Sequence, residues 1–284
     1  MHYMQLSAAK LNLSLRVTNK RRDGYHDIVS LFLRLPNLET LSISKAKGIA
    51  DDVRVRGVEV KGENIVSRAL CRAREAGFDV PFLDVEISKS IYPGSGLGAG
   101  SGNAAAILRW LAGSAVSQKD DLVWQNVALK TGADVPFLLS DCSLALVSGI
   151  GEILEPLEPL GLCASIVFPE WSVGTGDAYA QLDGRYGGEY PLSDPVARAE
   201  AGALYKGLLA KERVGFLPND FAPALMEKFP GYLDLFDMFD KSGHIAWGIT
   251  GSGGAAFALS DKIAPPWATA WPSWARLVLV KCVP

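Results

Sequence analysis

The first clear pattern in the chain is an alternation of apolar and polar residues between positions 9 and 17. Leucine or valine stands at every second position from 11 onwards, and Lys10 and Asn12 are among the polar residues that alternate with them. A period of two predicts a strand with one buried face. The pair Asp23-Gly24 then predicts a turn. We therefore expect a strand that ends near Asn19 and carries Lys10 and Asn12 on its polar face.

The same patterns divide the rest of the chain into strands and helices. Apolar and β-branched runs predict further strands at 31–35, 38–43, 53–60, 85–91, 165–168, 245–249, 255–259 and 277–281. Helical spacing of apolar residues predicts helices at 65–76, 103–111, 119 or 120 to 131, 196–209, 221–229 and 232–239. Asn64 is a suitable N-cap for the first helix and Gly77 a suitable end. The mixture predicts an α+β protein.

The composition narrows the class of protein. The chain has 284 residues, of which 49% are hydrophobic and 21% charged, so it can bury a core in one large domain or two modest ones. The 28 basic residues nearly balance 31 acidic ones, which gives no reason to expect nucleic acid as a partner. Small disulfide scaffolds and disordered chains are excluded.

The same sequence gives no sign of a membrane or secretory protein. No stretch approaches the roughly 18 apolar residues that a membrane span requires, and a basic segment followed by an apolar one is missing at the N-terminus. The four cysteines have no zinc-binding spacing, so reduced thiols are expected. We expect a cytoplasmic protein without a membrane partner.

The densest local motif is a glycine-rich run between a predicted strand and a predicted helix. Glycine occupies every second position from Gly94 to Gly102, and an alanine-rich segment begins after Asn103. Backbone N–H groups can converge on a phosphate where side chains are absent, and a following helix adds the positive end of its dipole. The run lacks the G-K-[ST] ending of a Walker A loop and the context of a dinucleotide fingerprint. A glycine-rich surface turn is the alternative for the motif taken alone.

Two further clusters carry candidate chemistry. Asp134 lies in Gly132-Ala133-Asp134-Val135-Pro136, at the end of a helix and before a buried run, where it is either a partly desolvated acid paired with a lysine or a cap of the next turn. The residue types leave these two interpretations equally open. The cluster from Gly248 to Gly254 is either part of a site or a tight hairpin between two strands.

Taken in order, these pieces resemble the GHMP small-molecule kinases over nearly the whole chain. The resemblance rests on Ala9-Lys10-Leu11-Asn12-Leu13, Asp23-Gly24-Tyr25-His26, the glycine loop, Gly132-Ala133-Asp134-Val135-Pro136, Asn219-Asp220 and Thr250-Gly251-Ser252-Gly253. It implies a two-domain α+β GHMP kinase fold. The N-terminal domain, residues 1–150, would be ribosomal-protein-S5-domain-2-like and carry the ATP loop, and the C-terminal domain, residues 151–284, would be ferredoxin-like.

The resemblance also implies the reaction and the residues that carry it. The γ-phosphoryl group of ATP would pass to the 2-hydroxyl of a methylerythritol linked to cytidine diphosphate. Asp134 would accept the proton of that hydroxyl, and Lys10 would stabilise the developing alkoxide. ATP would be held by Gly94, Ser95, Gly96, Leu97, Gly98, Ala99, Gly100, Ser101, Gly102 and Asn103. Mg²⁺ is expected with ATP, although no metal ligand can be named.

Substrate contacts are implied at five other positions, Asn12, Tyr25, His26, Thr175 and Tyr179. Tyr25 and His26 would contact the cytosine ring, and Tyr179 would stack on its other side. For His26 the alternative is a polar residue at the start of a strand without a ligand. For Tyr179 it is a core aromatic on a helix that also contains Ala178.

The chain departs from the pattern of the family in a few places. Tyr92 stands where the loop usually begins with proline, Gly102 where a second serine is usual, and Gly254 where alanine is usual. Two other functions therefore stay open. One is a GHMP kinase for another alcohol, such as mevalonate or homoserine, and the other is a catalytically silent nucleotide-binding protein, which should have lost Lys10 or Asp134.

Overall fold

The structure is a computed structural model that describes residues 2–60, 62–113, 121–261 and 272–283. The strands of the described chain are β1 (His2–Lys20), β2 (His26–Lys45), β3 (Asp52–Arg56), β4 (Leu83–Ser88), β5 (Leu144–Gly149), β6 (Ile153–Pro156), β7 (Leu162–Pro169), β8 (Gly215–Phe216), β9 (Ala246–Ile249), β10 (Ala256–Ser260) and β11 (Ala275–Val283). Its helices are α1 (Ile65–Glu75), α2 (Ala99–Ala112), α3 (Asp121–Thr131), α4 (Val135–Leu139), α5 (Thr175–Tyr186), α6 (Asp194–Leu209), α7 (Ala222–Lys228) and α8 (Gly231–Lys241). The predicted α+β class is confirmed.

The chain forms two compact units, and neither is a single stretch of sequence. The first comprises Met1–Lys10, Arg34–Pro93 and Gly98–Cys142, and the second comprises Leu11–Leu33, Gly94–Leu97 and Ser143–Pro284. β1 and β2 each contribute one part to each unit. The division into domains 1–150 and 151–284 stays a prediction, and the compact units interleave those two ranges.

The first unit contains a small sheet and the helices α1 to α4. β3 pairs in parallel with β4, and β4 pairs antiparallel with the second part of β2, where Leu41 lies opposite Ile87. The helix α2 packs against α1 and α4. It is buried along most of its length, and Ile107 and Leu108 are inaccessible to solvent. The burial of α2 holds its N-terminus in a defined place.

The second unit contains the second part of β1, the first part of β2 and the strands from β5 onwards. The first part of β2 pairs antiparallel with β5, and β5 with β6. A separate sheet has the order β11-β7-β10-β9-β8, in which β7 is buried at all eight positions. A strand that is buried throughout its length belongs at the centre of a sheet covered on both faces, and β7 indeed pairs with β11 on one side and β10 on the other.

Most of the predicted elements are confirmed, with differences at the ends. Asn64 caps α1 by accepting a 2.9 Å hydrogen bond from the Val66 backbone. The two predicted strands 31–35 and 38–43 form the single strand β2, with Asn37 inside it at a φ of 55°. The predicted start of α3 at 119 or 120 lies outside the described residues. β5, β6, β8 and the short helix α4 were not among the predicted elements, and a helix at the position of α5 was predicted only in the alternative for Tyr179.

Membrane-spanning helices and the state of the cysteines bear on the expected environment of the protein. In the part of the chain that the structure describes, no helix is long and apolar enough to cross a membrane. Cys71 and Cys142 are free, as expected, whereas Cys163 in β7 is disulfide-bonded, so the expectation of reduced thiols is wrong for that residue.

Candidate active site

Lys10 and Asp134 lie together in the first unit. Lys10 projects from β1 with only 6% of its side chain exposed, and its Nζ is 3.7 Å from Oδ2 of Asp134. Asp134 stands at the N-cap position of α4, but its side chain makes no capping hydrogen bond. Of the two interpretations that the sequence left open for Asp134, the structure therefore favours an acid paired with a lysine.

Gly98 connects this pair to the glycine-rich run. It has a φ of 64° and is the N-cap of α2. A β-carbon at this position would lie 2.8 Å from Asp134 Oδ2 and 3.3 Å from Lys10 Cε. The left-handed conformation and the lack of space both require glycine here. The start of α2 thus lies directly against the Lys10–Asp134 pair.

Burial and the neighbouring carboxylate have opposite effects on the pKa of Lys10. Burial lowers the pKa of the Lys10 ammonium from its usual value, and the Asp134 carboxylate opposes that change by its charge and a hydrogen bond. A buried lysine beside a carboxylate, at the positive end of a helix dipole, is an environment that stabilises negative charge on a third group. The arrangement is suited to the transfer of a phosphoryl group.

The first turns of α2 are anchored by close packing and a buried polar network. A side chain at Gly102 would overlap the carbonyl oxygen of Ala8, which gives a physical reason for glycine at that position. The Asn103 side chain donates to Glu39 Oε2 at 2.9 Å and accepts from Ser7 Oγ at 2.7 Å. The predicted contact of Asn103 with ATP stays a prediction, and its side chain holds α2 in place.

The other end of α4 is fixed by an arginine. Arg34 donates to the carbonyl oxygens of Phe137, Leu138, Ser140 and Cys142 at 2.6 to 3.0 Å. Burial lowers the pKa of the Arg34 guanidinium to about 10, and the nearby Arg109 contributes to the change. Since α4 begins directly after Asp134, this interaction holds the segment that carries the acid.

In the second unit, the first part of the glycine-rich run contacts the cluster after β9. The Ala255 backbone donates to the carbonyl of Ser95 at 2.9 Å, and Thr250 Oγ1 accepts from the backbone of Asn12 at 2.9 Å. The Asn12 side chain donates to Ser30 Oγ at 2.9 Å. The cluster 250–255 is therefore more than a hairpin turn, since it holds residues from the glycine-rich run and from β1.

The side chain of Asn219 binds the backbone at both ends of the turn that follows β9. Its amide group donates to the carbonyls of Ile249 and Gly251, both at 2.9 Å, and its Oδ1 accepts from the Phe221 backbone at 2.9 Å. The neighbouring Asp220 accepts from the Val17 backbone at 2.8 Å. In the Asn219-Asp220 pair, which the sequence singled out without a role, Asn219 thus fixes the loop between β9 and β10, and Asp220 binds β1.

A second group of predicted residues lies around His26. Its ring stacks on that of Tyr179, with centroids 4.5 Å apart and planes at 26°. Its Nε2 is 2.8 Å from Oδ1 of Asp183; Oδ1 also accepts from the Tyr190 hydroxyl, and Oδ2 accepts from Lys20 Nζ. The structure thus brings His26 and Tyr179 together, ring against ring.

Of the other predicted substrate contacts, Tyr25 and Thr175 are exposed and Asn12 is buried. Tyr25 is 56% exposed beside the buried His26. Thr175, at the start of α5, accepts from Ser252 Oγ at 3.1 Å. Among the described residues, no three His, Cys, Asp or Glu side chains come together as a metal-binding group.

Asp183 is the principal residue that the sequence did not indicate. It lies four positions after Tyr179 on α5, so the two side chains share one face of the helix. If a helix is assumed there, the spacing of four predicts that Asp183 lies beside Tyr179. The contact with His26, 157 residues away in the sequence, carried no local signal.

Comparison with known proteins identifies similar sequences over most of the chain. The model of the GHMP kinases N terminal domain matches residues 64–141. A 4-diphosphocytidyl-2-C-methyl-D-erythritol kinase of Porphyromonas gingivalis is 32% identical over 257 residues, which cover 88% of this chain and 89% of the relative.

Solved structures are similar as well. A crystal structure of a 4-(cytidine 5'-diphospho)-2C-methyl-D-erythritol kinase superposes with a TM-score of 0.76 at 26% identity, covering 98% of both chains. A homoserine kinase from Cytophaga hutchinsonii has a TM-score of 0.66 at 20% identity, covering 92% of this chain and 85% of that one, and shares the fold. The predicted GHMP kinase fold is confirmed.

Proposed function

The chain belongs to the family of 4-diphosphocytidyl-2-C-methyl-D-erythritol kinases, and we propose that Lys10 and Asp134 carry its reaction. That reaction transfers the γ-phosphoryl group of ATP to the 2-hydroxyl of 4-diphosphocytidyl-2-C-methyl-D-erythritol, in the non-mevalonate pathway to isoprenoid precursors. The observation that carries the proposal is the Lys10–Asp134 pair at the start of α2, against Gly98.

Phosphoryl transfer needs an aligned nucleophile and stabilised charge more than covalent help from the protein. The carboxylate of Asp134 accepts the proton of the attacking hydroxyl. The buried ammonium of Lys10 stabilises the negative charge that develops on that oxygen, and its effect is strong because water is largely excluded around it. No covalent intermediate with the protein is required.

The backbone from Gly94 to Asn103 holds the triphosphate. The first residues of α2 have N–H groups without partners inside the helix, and the dipole of this 14-residue helix is positive at that end. Both features favour an anion. The anchoring of α2 through Asn103 and Gly102 keeps these donors in fixed positions.

Mg²⁺ accompanies ATP in this proposal. A hard oxygen donor is present in the first unit in the Ser101 hydroxyl, which suits Mg²⁺ better than a softer metal. One such donor fits an ion that binds together with the triphosphate and keeps most of its ligands from the phosphates and water. When bound, Mg²⁺ lowers the negative charge of the phosphates.

The second unit supplies the contacts to the cytidyl part of the substrate. Tyr25, His26 and Tyr179 are proposed to contact the cytosine ring, and Asn12 and Thr175 are proposed as polar contacts. The exposure of Tyr25 next to the His26–Tyr179 stack supports this assignment. We further propose that the protein acts in the cytoplasm, where ATP is available.

The two other functions have less support. A kinase for mevalonate or homoserine would not account for Tyr25-His26 or for the 32% identity to a cytidyl kinase. A silent homologue should have lost the acid or the lysine, and both are present and paired.

A coupled assay of ADP release tests the substrate. The full chain is supplied with ATP, Mg²⁺ and, in separate reactions, the diphosphocytidyl alcohol, mevalonate or homoserine. We expect ADP release with the first alone. Turnover of mevalonate or homoserine in its place would contradict the proposal.

The mechanism is tested by Asp134→Asn, which keeps the shape of the side chain but cannot accept the proton. We expect kcat to fall by about 100- to 10,000-fold, the usual contribution of a general base. Lys10→Met should reduce kcat by about 100-fold or more, since it removes stabilisation of the alkoxide.

A matched control for Asp134→Asn is Asp141→Asn. Asp141 is fully exposed on the same segment of the chain, so the identical substitution should leave kcat unchanged. Full activity of Asp134→Asn would rule out the proposed role of the acid.

A further inference from the structure

Asp183 is the centre of a polar cluster in the second unit. It lies on α5, one turn after Tyr179, and its two oxygens have different partners. Oδ1 is 2.8 Å from His26 Nε2 and 2.5 Å from the hydroxyl of Tyr190, and Oδ2 is 2.6 Å from Lys20 Nζ. The side chain of His26 is only 7% exposed, so this interaction fixes a buried ring.

The partners of Asp183 keep it ionised. Burial acts to raise the pKa of its carboxyl, but the hydrogen bonds from Lys20, Tyr190 and His26 outweigh burial and lower the pKa to about 2. An ionised carboxylate only accepts hydrogen bonds. The atom that faces it, Nε2 of His26, therefore carries a hydrogen and donates it.

The position of that hydrogen decides the chemistry of the other ring nitrogen. In a neutral imidazole, one nitrogen donates and the other accepts. In the neutral ring with the hydrogen held on Nε2, Nδ1 of His26 is an acceptor. The stacking of the ring on Tyr179 fixes its plane as well, so the direction of the acceptor is set together with its character.

We propose that Asp183 is a positioning residue for base recognition, which holds the hydrogen of His26 on Nε2 and so presents Nδ1 as an acceptor to the amino group of a cytosine. The inference rests on the proposed function, in which His26 contacts the base. Cytosine carries a donor amino group at C4, where uracil carries an acceptor carbonyl. Two acceptors cannot share a hydrogen bond, so the Asp183–His26 pair selects cytidine over uridine nucleotides.

The test compares the binding of CDP and UDP to the full chain by calorimetry. We expect the wild type to bind CDP at least about tenfold more tightly, because the wrong base leaves a polar group unpaired. In Asp183→Asn the amide can present either a donor or an acceptor to Nε2, so the ratio of the two affinities should fall towards one. The KM for ATP should not change.

Tyr190→Phe is the matched control. It removes a hydrogen bond to the same oxygen of Asp183 but leaves the carboxylate facing His26. We expect it to lower stability and to keep the ratio of CDP to UDP affinity. If Asp183 acted in stability alone, both variants would be less stable and both would keep the ratio of CDP to UDP affinity. That outcome would overturn the proposal.

A second measurement does not depend on any variant folding well. The imidazole nitrogens of His26 in the native protein can be observed by ¹⁵N NMR, and the chain has only three histidines to assign. We expect the hydrogen on Nε2. A hydrogen on Nδ1, or an unchanged affinity ratio in Asp183→Asn, would refute the proposal.

The results also separate this inference from the function on which it rests. If the wild type turns over the diphosphocytidyl alcohol with dependence on Asp134, but Asp183→Asn keeps the selectivity for CDP, the inference alone fails. If the wild type releases no ADP with that alcohol and binds neither nucleotide, the proposed function fails and the inference with it.

Discussion

Single residues in this protein have effects that depend on their charge state, and Asp183 is an example with a measurable pH range. Its pKa of about 2 lies below the usual 3.8 because three hydrogen bonds outweigh the effect of burial. Well above the unfolded value of 3.8, the carboxyl is ionised in the folded and the unfolded chain, and the cluster contributes its full stabilisation. As the pH falls towards 2, the unfolded chain binds a proton first, so the stabilisation is lost.

This relation predicts a difference between wild type and Asp183→Asn that depends on pH. At neutral pH the wild type should be more stable by on the order of 1 kcal/mol, since the carboxyl is partly exposed and solvent weakens its interactions. The difference should shrink between pH 4 and pH 2. Urea unfolding at several pH values measures it, and a difference that grows on acidification would contradict the assignment.

Gly98 gives a second prediction at this scale. Gly98→Ala places a β-carbon in a left-handed conformation and within 2.8 Å of Asp134 Oδ2, so the free energy of unfolding should fall by about 1 to 2 kcal/mol. The matched control is Gly100→Ala inside α2, where the nearest atom would be 3.6 Å away. There alanine should stabilise the helix by about 0.5 to 1 kcal/mol. Thermal unfolding distinguishes the two variants.

The residues also show what sequence patterns can predict. Asn64 was predicted as a helix cap from its immediate neighbours, and its hydrogen bond to Val66 lies within two positions. The chemistry of Asp134 depended on a partner in β1, more than 120 positions earlier, so the residue types alone left two interpretations open. Contacts between residues close in sequence can be predicted from the local pattern, whereas contacts between residues far apart in sequence cannot.

At the scale of elements, the loop between β9 and β10 depends on one buried amide. Asn219→Asp removes both donors to Ile249 and Gly251 while the acceptor for Phe221 remains. We expect a loss of about 1 to 3 kcal/mol in unfolding free energy, because two buried carbonyls lose their partner. The same change at the exposed Asn126 should have little effect in urea unfolding, and equal losses at both positions would argue against the role of Asn219.

Elements were predicted well where one face is buried and less well elsewhere. β1 follows its alternating pattern, and it extends further towards the N-terminus than predicted, to His2. β2 was predicted as two strands because Pro36 and Asn37 are poor strand residues. The backbone accommodates them with a positive φ at Asn37, and the strand continues because its neighbours β4 and β5 pair with its two parts.

The whole molecule has a net charge of −3, which bears on its partners. Its anionic ligands are proposed to bind through backbone N–H groups, one lysine and a metal ion, so a basic surface is unnecessary. We predict no binding to double-stranded DNA at about 150 mM salt, since non-specific affinity requires many phosphate contacts. A gel-shift assay with labelled DNA measures this, with a basic DNA-binding protein as positive control. A shifted band at this salt concentration would contradict the prediction.

The interleaving of the two units has a consequence for synthesis on the ribosome. The first unit is complete once residue 142 has been made, whereas the second contains both residues 11–33 and the strand β11 near the end of the chain. A segment made among the first must therefore wait for partners made much later, since Asn12, Val17 and His26 bind Thr250, Asp220 and Asp183. A nascent chain stalled after residue 142 has left the ribosome should protect the first unit from protease and leave residues 11–33 open to cleavage.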